Sequence, residues 1–383
     1  MEVLLSHGAV PYVKTNIPQT MMSADSENHV FGRTVNPCKR SLTAGGSTGG
    51  EAALLKLRGS LLGVGTDIAG SIRIPALCSG VFGFKPSALR VPFAGGVPPA
   101  RVIAPSQISP VVGPEAHSVR DLELWMKAVL ESDPWRFDEG VLNLPWRKVE
   151  PVNRKLRLGV LLEAKSKRLP LHPAVLRTMK EAQAALEKAG HVLVPMDDLL
   201  SIDLYDLGIL SWKYFSLDPQ KTVLKILASG DEDFVKSIAT TGYPELKDWA
   251  PSLGEVWDLN LQRRRALKGF HDIFIGNDLD AFIMPCYQAT AVPHDTYGRV
   301  IYSVLANLLD YPAAQIPYLN ADKALDKGFF RSDVTYSPPC KLIGVDGLGR
   351  SLKLTLNQMT LMLSMVHRLV SKLLVGLCKM RRF

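Results

Sequence analysis

Apolar positions along the chain switch repeatedly between short unbroken runs and a spacing of three to four, the signature of strands alternating with helices. The pattern predicts strands over residues 61–64, 81–84, 156–162, 191–195, 281–285 and 314–317. Around them it predicts helices over 50–57, 118–130, 173–189, 202–214, 255–274 and 300–309. Two of these helices carry end signals: Ser118 stands at an N-cap with Asp121 and Glu123 close behind, and Gly190 follows the 173–189 segment. Strand 156–162, helix 173–189 and strand 191–195 imply a parallel pair joined by a right-handed crossover. Residues 1–13 read as the last turn of a helix running through Gly8 into a strand over 10–13, whereas residues 26–50 hold no period. The alternation places the chain in the α/β class, with residues 131–153 as the one plausible linker and no internal repeat.

Composition narrows the function classes. At 383 residues, 46% hydrophobic and 21% charged, the chain can bury a sizeable core. Its net charge of +8 is local: seven of the 45 Lys and Arg lie after residue 346, where there is no Asp or Glu, leaving 38 basic against 37 acidic residues before it. A nucleic-acid binder needs a basic face with aromatics to stack on, and that tail has neither Trp nor Tyr, so nucleic acid is not an expected partner. The five scattered cysteines form no CxxC pair, which signals neither zinc nor a disulfide framework and fits reduced thiols. The N-terminus lacks a signal-peptide pattern and polar residues interrupt the apolar stretch 354–377, so a cytoplasmic location is expected.

The chemistry concentrates in two glycine-rich stretches. Ala44-Gly45-Gly46-Ser47-Thr48-Gly49-Gly50-Glu51 admits a phosphate cradle, although it lacks the Lys-Ser/Thr ending of a P-loop. It also formally fits the G-x-S-x-G nucleophile elbow, but residues 40–43 make a poor strand before it. A flexible glycine turn is the third reading. The second stretch, Gly65-Thr66-Asp67-Ile68-Ala69-Gly70-Ser71-Ile72-Arg73-Ile74-Pro75, lies one helix and one strand later, so two hydroxyls can be brought face to face. Backbone N–H groups from Ile68 to Ser71 could bind the oxyanion of a tetrahedral intermediate. His29 and His117 are the nearest histidines in sequence, and a Ser–Lys arrangement needs neither.

These stretches, followed by Gly83-Phe84-Lys85-Pro86, resemble the amidase-signature family. Residues 8–21 and 31–37 extend the resemblance toward the subgroup of fungal general amidases and fatty-acid amide hydrolases, and it runs to about residue 340. It implies a twisted mixed central sheet wrapped in helices over 1–340, with 341–383 as a divergent basic tail. The implied activity is hydrolysis of a small-molecule carboxylic amide by a Ser–cis-Ser–Lys triad, without metal or cofactor. By position Ser71 is the nucleophile and Ser47 the proton relay. Ile68, Ala69, Gly70 and Ser71 would form the oxyanion hole, and Met21 would lie against the acyl group.

The resemblance also implies what is missing. The family's catalytic lysine lies one strand–loop–helix segment before any residue of this chain, so an N-terminal truncation is expected and the activity of this chain is in question. Lys14 sits in residues that match a later strand and reads as a solvated lysine at a strand end. A non-catalytic relative that keeps the pocket is the alternative. In the tail, Met359, Leu363, Val366, Val370, Leu373 and Leu377 have helical spacing, suited to a final docked helix or to an anionic membrane surface.

Overall fold

A computed structural model of the protein describes residues 1–96, 108–147, 154–240, 242–334, 336 and 360–361. Helix α1 (Glu2–Ser6) leads through an extended stretch to the short hairpin of β1 (Glu27–Asn28) and β2 (Gly32–Arg33). The glycine-rich region then gives α2 (Gly49–Lys56), β3 (Leu62–Asp67), α3 (Arg73–Ser79) and β4 (Phe82–Lys85). Next come β5 (Val111–Ala116), α4 (Val119–Leu130), β6 (Arg157–Val160), α5 (Pro173–Lys188) and β7 (Val192–Pro195). Helices α6 (Leu204–Phe215), α7 (Thr222–Ser229) and α8 (Leu253–Gly276) precede β8 (Ala281–Ile283), α9 (Val304–Leu308), β9 (Ala313–Gln315) and β10 (Thr360–Leu361).

Two ladders carry this α/β fold. One is antiparallel, in the order β10-β9-β4-β5-β3, and the other parallel, in the order β7-β6-β8. The parallel pairing of β6 with β7 is the one the strand–helix–strand spacing predicts. One apolar cluster joins both ladders to the helices, with Phe82, Leu122, Leu158, Leu207 and Phe282 among its members. Burying a side chain of that size stabilises by roughly 1.5–3 kcal/mol, so the shared cluster ties the ladders into one body. α5 shows how the pattern works: Pro173 opens it where no N–H is needed, and Val175, Leu176, Met179, Ala182 and Leu186 are buried along one face. Ser118 caps α4 by accepting from the Asp121 N–H (3.2 Å).

Some elements depart from the sequence pattern. Residues 10–13 are extended but not a strand, with Val10, Tyr12 and Val13 exposed; Gly50 N–H bonds the Asn16 carbonyl (3.2 Å) and anchors the stretch. α3 carries Pro75 in its first turn, where proline is tolerated but masks the helical pattern. β5 contains Pro114, which argues against a strand. It is paired all the same with Val64 of β3, while the ladder to β4 holds only Ala116 and Glu115. The described part of the expected linker, 131–147, is pinned to the body: Leu142 N–H bonds the Leu89 carbonyl, and Asp138 accepts from the N–H groups of Phe93 and Ala94. In the tail, Thr360 and Leu361 pair with β9 instead of continuing a helix, because the β9 edge offers unpaired backbone groups; the rest of that expected helix lies outside the described residues. No described helix is long and apolar enough to cross a membrane.

Glu115 is the least expected core residue. It sits on β5 paired with Gly63 and Gly83 on the flanking strands; a Cβ on Gly63 would lie 2.5 Å from Glu51 Oε1. Both carboxyl oxygens are buried and have no hydrogen-bond partner among the described residues. Burial first, then the nearby charges of Glu51 and Asp67, pushes the Glu115 carboxyl far above the ordinary range. The unfolded chain releases this proton near pH 4.3 while the folded chain keeps it, so the residue costs stability as pH rises above about 4.3. Glu115→Met is therefore expected to stabilise by about 1–3 kcal/mol, more at pH 8 than at pH 5, in urea titrations. Equal or lower stability at both pH values would refute this account.

Candidate active site

The two glycine–serine turns meet. The turn at 44–48 enters α2 and the turn at 68–72 joins β3 to α3, and Thr48 N–H donates to the Ser71 carbonyl (3.1 Å). Gly65 allows this approach, since a Cβ there would lie 2.7 Å from Thr48 Cγ2. Ser47 and Ser71 are thereby held on neighbouring segments, Ser47 buried and Ser71 half-buried. The Gly46–Ser47 peptide bond is cis.

A buried charge cluster holds the Ser71 turn. Asp67, at the end of β3, accepts from Gly70 N–H (2.9 Å) and Ile72 N–H (3.2 Å). Arg73 donates to both Asp67 oxygens at 3.0 Å and to Asn307 Oδ1 at 2.8 Å. Asn307 Nδ2 returns a bond to Asp67 Oδ1 (2.9 Å), and Ser303 Oγ donates to the Ala69 carbonyl (2.6 Å). Burial alone would raise the Asp67 carboxyl; the charge and hydrogen bonds of Arg73, with Lys85 and Asn307, outweigh it and hold the group below the usual carboxylate range. Gly70 has φ +126°, and a Cβ on it would lie 2.5 Å from Ser303 Oγ, so only glycine fits.

Of the four backbone N–H groups expected near an oxyanion, that of Gly70 already has an acceptor in Asp67 Oδ1 (2.9 Å). Ile68, Ala69 and Ser71 all line one small cleft that is partly open to solvent. Met21 lines the same cleft with Met22, Ile74, Trp212 and Val300, and Gly46 reaches it from the Ser47 turn. Met21 and Thr20 both hold positive φ (56° and 61°), a backbone state that costs roughly 1–3 kcal/mol per residue and recurs at functional sites.

The other sequence readings find no support in this arrangement. The nucleophile elbow needs a strand before Ser47, but Thr43 and Leu42 make only isolated bridges, to Val35 and Pro293. Neither His29, bonded to the Asp233 carbonyl, nor His117, beside the Ser60 carbonyl, lines the cleft. Lys14 is exposed. Lys85 is buried and burial lowers its pKa to about 8, yet Nζ donates to the Pro86 carbonyl (2.8 Å) and lies 3.9 Å from Asp310, off the cleft lining. Sequence reasoning had no signal for Trp212 and Val300, which reach the cleft from distant parts of the chain.

Comparison with known proteins agrees with this geometry. Residues 1–335 match the profile of the Amidase family. An amidase of Gibberella moniliformis is 35% identical over 327 residues, covering 85% of this chain and 60% of the relative. An acetamidase of Emericella nidulans is 36% identical over 339 residues, again 85% of this chain and 60% of the relative. The solved structure of a fatty acid amide hydrolase superposes with a TM-score of 0.83 at 27% identity, covering 98% of this chain and 66% of that one. The chain thus spans about 60% of the length of the curated relatives it matches. In motifs, fold and extent of match, it belongs to the amidase-signature family.

Proposed function

We propose that this polypeptide is an amidase that hydrolyses a carboxylic amide to its acid and ammonia or an amine through a Ser71 acyl-enzyme. The observation that carries the reading is the Ser71 turn, fixed by buried Asp67 and Arg73 and opening onto an apolar cleft beside the Ser47 turn. Ser71 Oγ attacks the amide carbon while its proton passes to Ser47, which passes it to the base. The developing oxyanion is met by N–H groups among Ile68, Ala69 and Ser71 in a preorganised turn. Collapse of the tetrahedral intermediate expels the protonated amine, and water then releases the acid from Ser71. Met21, Met22, Ile74 and Trp212 favour an apolar acyl group. Lys14 is exposed and Lys85 Nζ donates to the Pro86 carbonyl, so neither is assigned as the base.

The absence of lysine from the described cleft lining also favours a second reading, a ligand-binding relative without turnover. One trapping experiment separates them. A small apolar fluorophosphonate is expected to phosphonylate Ser71 with loss of fluoride, giving one adduct per chain by intact mass and a single labelled peptide containing Ser71. Unlabelled Ser71 after prolonged exposure would favour the ligand-binding reading.

A further inference from the structure

The Ser47 turn has its own anchoring system, separate from the Asp67 cluster. Asp25 is buried, with 1% of its surface exposed. Its Oδ1 accepts from Thr43 Oγ1 (2.7 Å), and Thr43 Oγ1 in turn accepts from Gly45 N–H (2.9 Å). Ser26, the next residue, donates from Oγ to the Gly45 carbonyl (2.9 Å) and accepts from Gly49 N–H (3.1 Å). Gly46 packs on the same segment so closely that a Cβ would lie 2.5 Å from the Ser23 carbonyl oxygen. The turn is thus held by residues 23–26 on both sides of Ser47.

Asp25 itself is held from the opposite side. Asp295 N–H donates to Oδ2 (3.1 Å), and His294 Nδ1 lies 3.4 Å from each carboxyl oxygen. The other ring nitrogen, Nε2, faces the Arg40 carbonyl at 3.1 Å. Two acceptors, one on each ring nitrogen, are both satisfied only by the doubly protonated ring. The other charges nearby balance one another: Arg33 bonds Glu27 and the Asp295 carboxylate, which Lys236 approaches at 3.9 Å.

We propose that Asp25 is a positioning residue for the Ser47 turn and that the imidazolium of His294 is the counter-ion that keeps it in place. The proposal deepens the acyl-transfer reading and rests on it for its consequence in catalysis. The bond to Asp25 raises the His294 pKa against the effect of burial, with the Arg40 carbonyl adding and Arg33 subtracting. Burial would raise the Asp25 carboxyl, and the bonds from His294, Thr43 and Asp295 N–H bring it below its ordinary value. A group raised in the folded state holds its contribution below the unfolded pKa and loses it on rising through the folded one. The turn therefore loosens as pH climbs above about 6.5 and His294 gives up its proton.

The test measures amide hydrogen exchange of peptides covering residues 43–50, as protection factors between pH 5 and 8.5, alongside the rate of Ser71 labelling by the fluorophosphonate. In the wild type both are expected to step down across the His294 titration. Asp25→Asn is expected to lower protection in 43–50 at least tenfold while α5 and α8 keep theirs. His294→Gln, which still offers Asp25 a donor, is expected to remove the pH step. If Asp25→Asn loses its cooperative melt, Thr43→Val cuts the link to Gly45 N–H with the Asp25–His294 pair intact, and the same local loss is expected. Wild-type protection of 43–50 in a folded Asp25→Asn or Thr43→Val chain overturns the proposal, as does a pH step that persists in His294→Gln. An expected exchange pattern with no Ser71 labelling at any pH would instead sink the acyl-transfer reading and leave the role of Asp25 standing.

Discussion

Ser71→Ala is expected to reduce amide hydrolysis by roughly 10⁴–10⁶ in kcat with KM little changed, since loss of one member of a concerted triad removes almost all of its chemistry. In the proposed reading substrate affinity would come from the apolar side chains of the cleft, which the substitution leaves in place. Ser47→Ala is expected to cost a comparable factor through loss of the proton path, and the double variant little more than either alone. Non-additivity of that kind is the mark of groups acting in one transition state. The measurement is single-turnover release of amine from an apolar amide, with circular dichroism to verify folding. Ser71→Ala activity within tenfold of wild type would remove Ser71 from the reaction. Survival in Ser71→Ala combined with loss in Ser47→Ala would revive the elbow reading, in which Ser47 attacks.

Much of this site is legible in the chain because backbone geometry and local sequence determine it. A glycine at 70 and an acid at 67, three residues earlier, specify the turn that presents Ser71, and both lie within one short stretch. α5 and its flanking strands are legible because one strong period governs each. Where proline sits inside an element, the pattern misleads: Pro75 conceals α3 and Pro114 conceals β5. The commitment of Gly70 N–H was not legible either. Sequence shows that an N–H exists near Ser71, and only the fold shows that Asp67 already holds it. Contacts across long separations are silent for the same reason, as in the bonds from Arg73 to Asn307 and from His294 to Asp25.

Arg73→Met is expected to produce the largest loss of stability, and the form of its pH dependence identifies the cause. Arg73 and Asp67 are both fully buried, so removing the guanidinium leaves a carboxylate in the core without its main partner. Breaking a buried pair from one side costs about 3–5 kcal/mol, whereas replacing both partners by apolar groups can be close to neutral. In the wild type the depressed Asp67 carboxyl contributes stability above the unfolded value near pH 3.9, and loses it as pH falls through the lower folded value. In Arg73→Met, burial acts on Asp67 with its main opponent gone and the sign inverts: the folded chain prefers the protonated acid and loses stability as pH rises. The deficit against wild type should therefore be small near pH 3 and widen toward pH 7 in urea titrations. Asp67→Leu/Arg73→Met should recover much of the stability, but not Ser71 labelling, because the Gly70 and Ile72 N–H groups lose the acceptor that shapes the turn. A deficit that is the same at pH 4 and pH 7 would mean that Arg73 acts through packing alone. A double variant that labels at the wild-type rate would mean that the turn holds its shape without the buried pair.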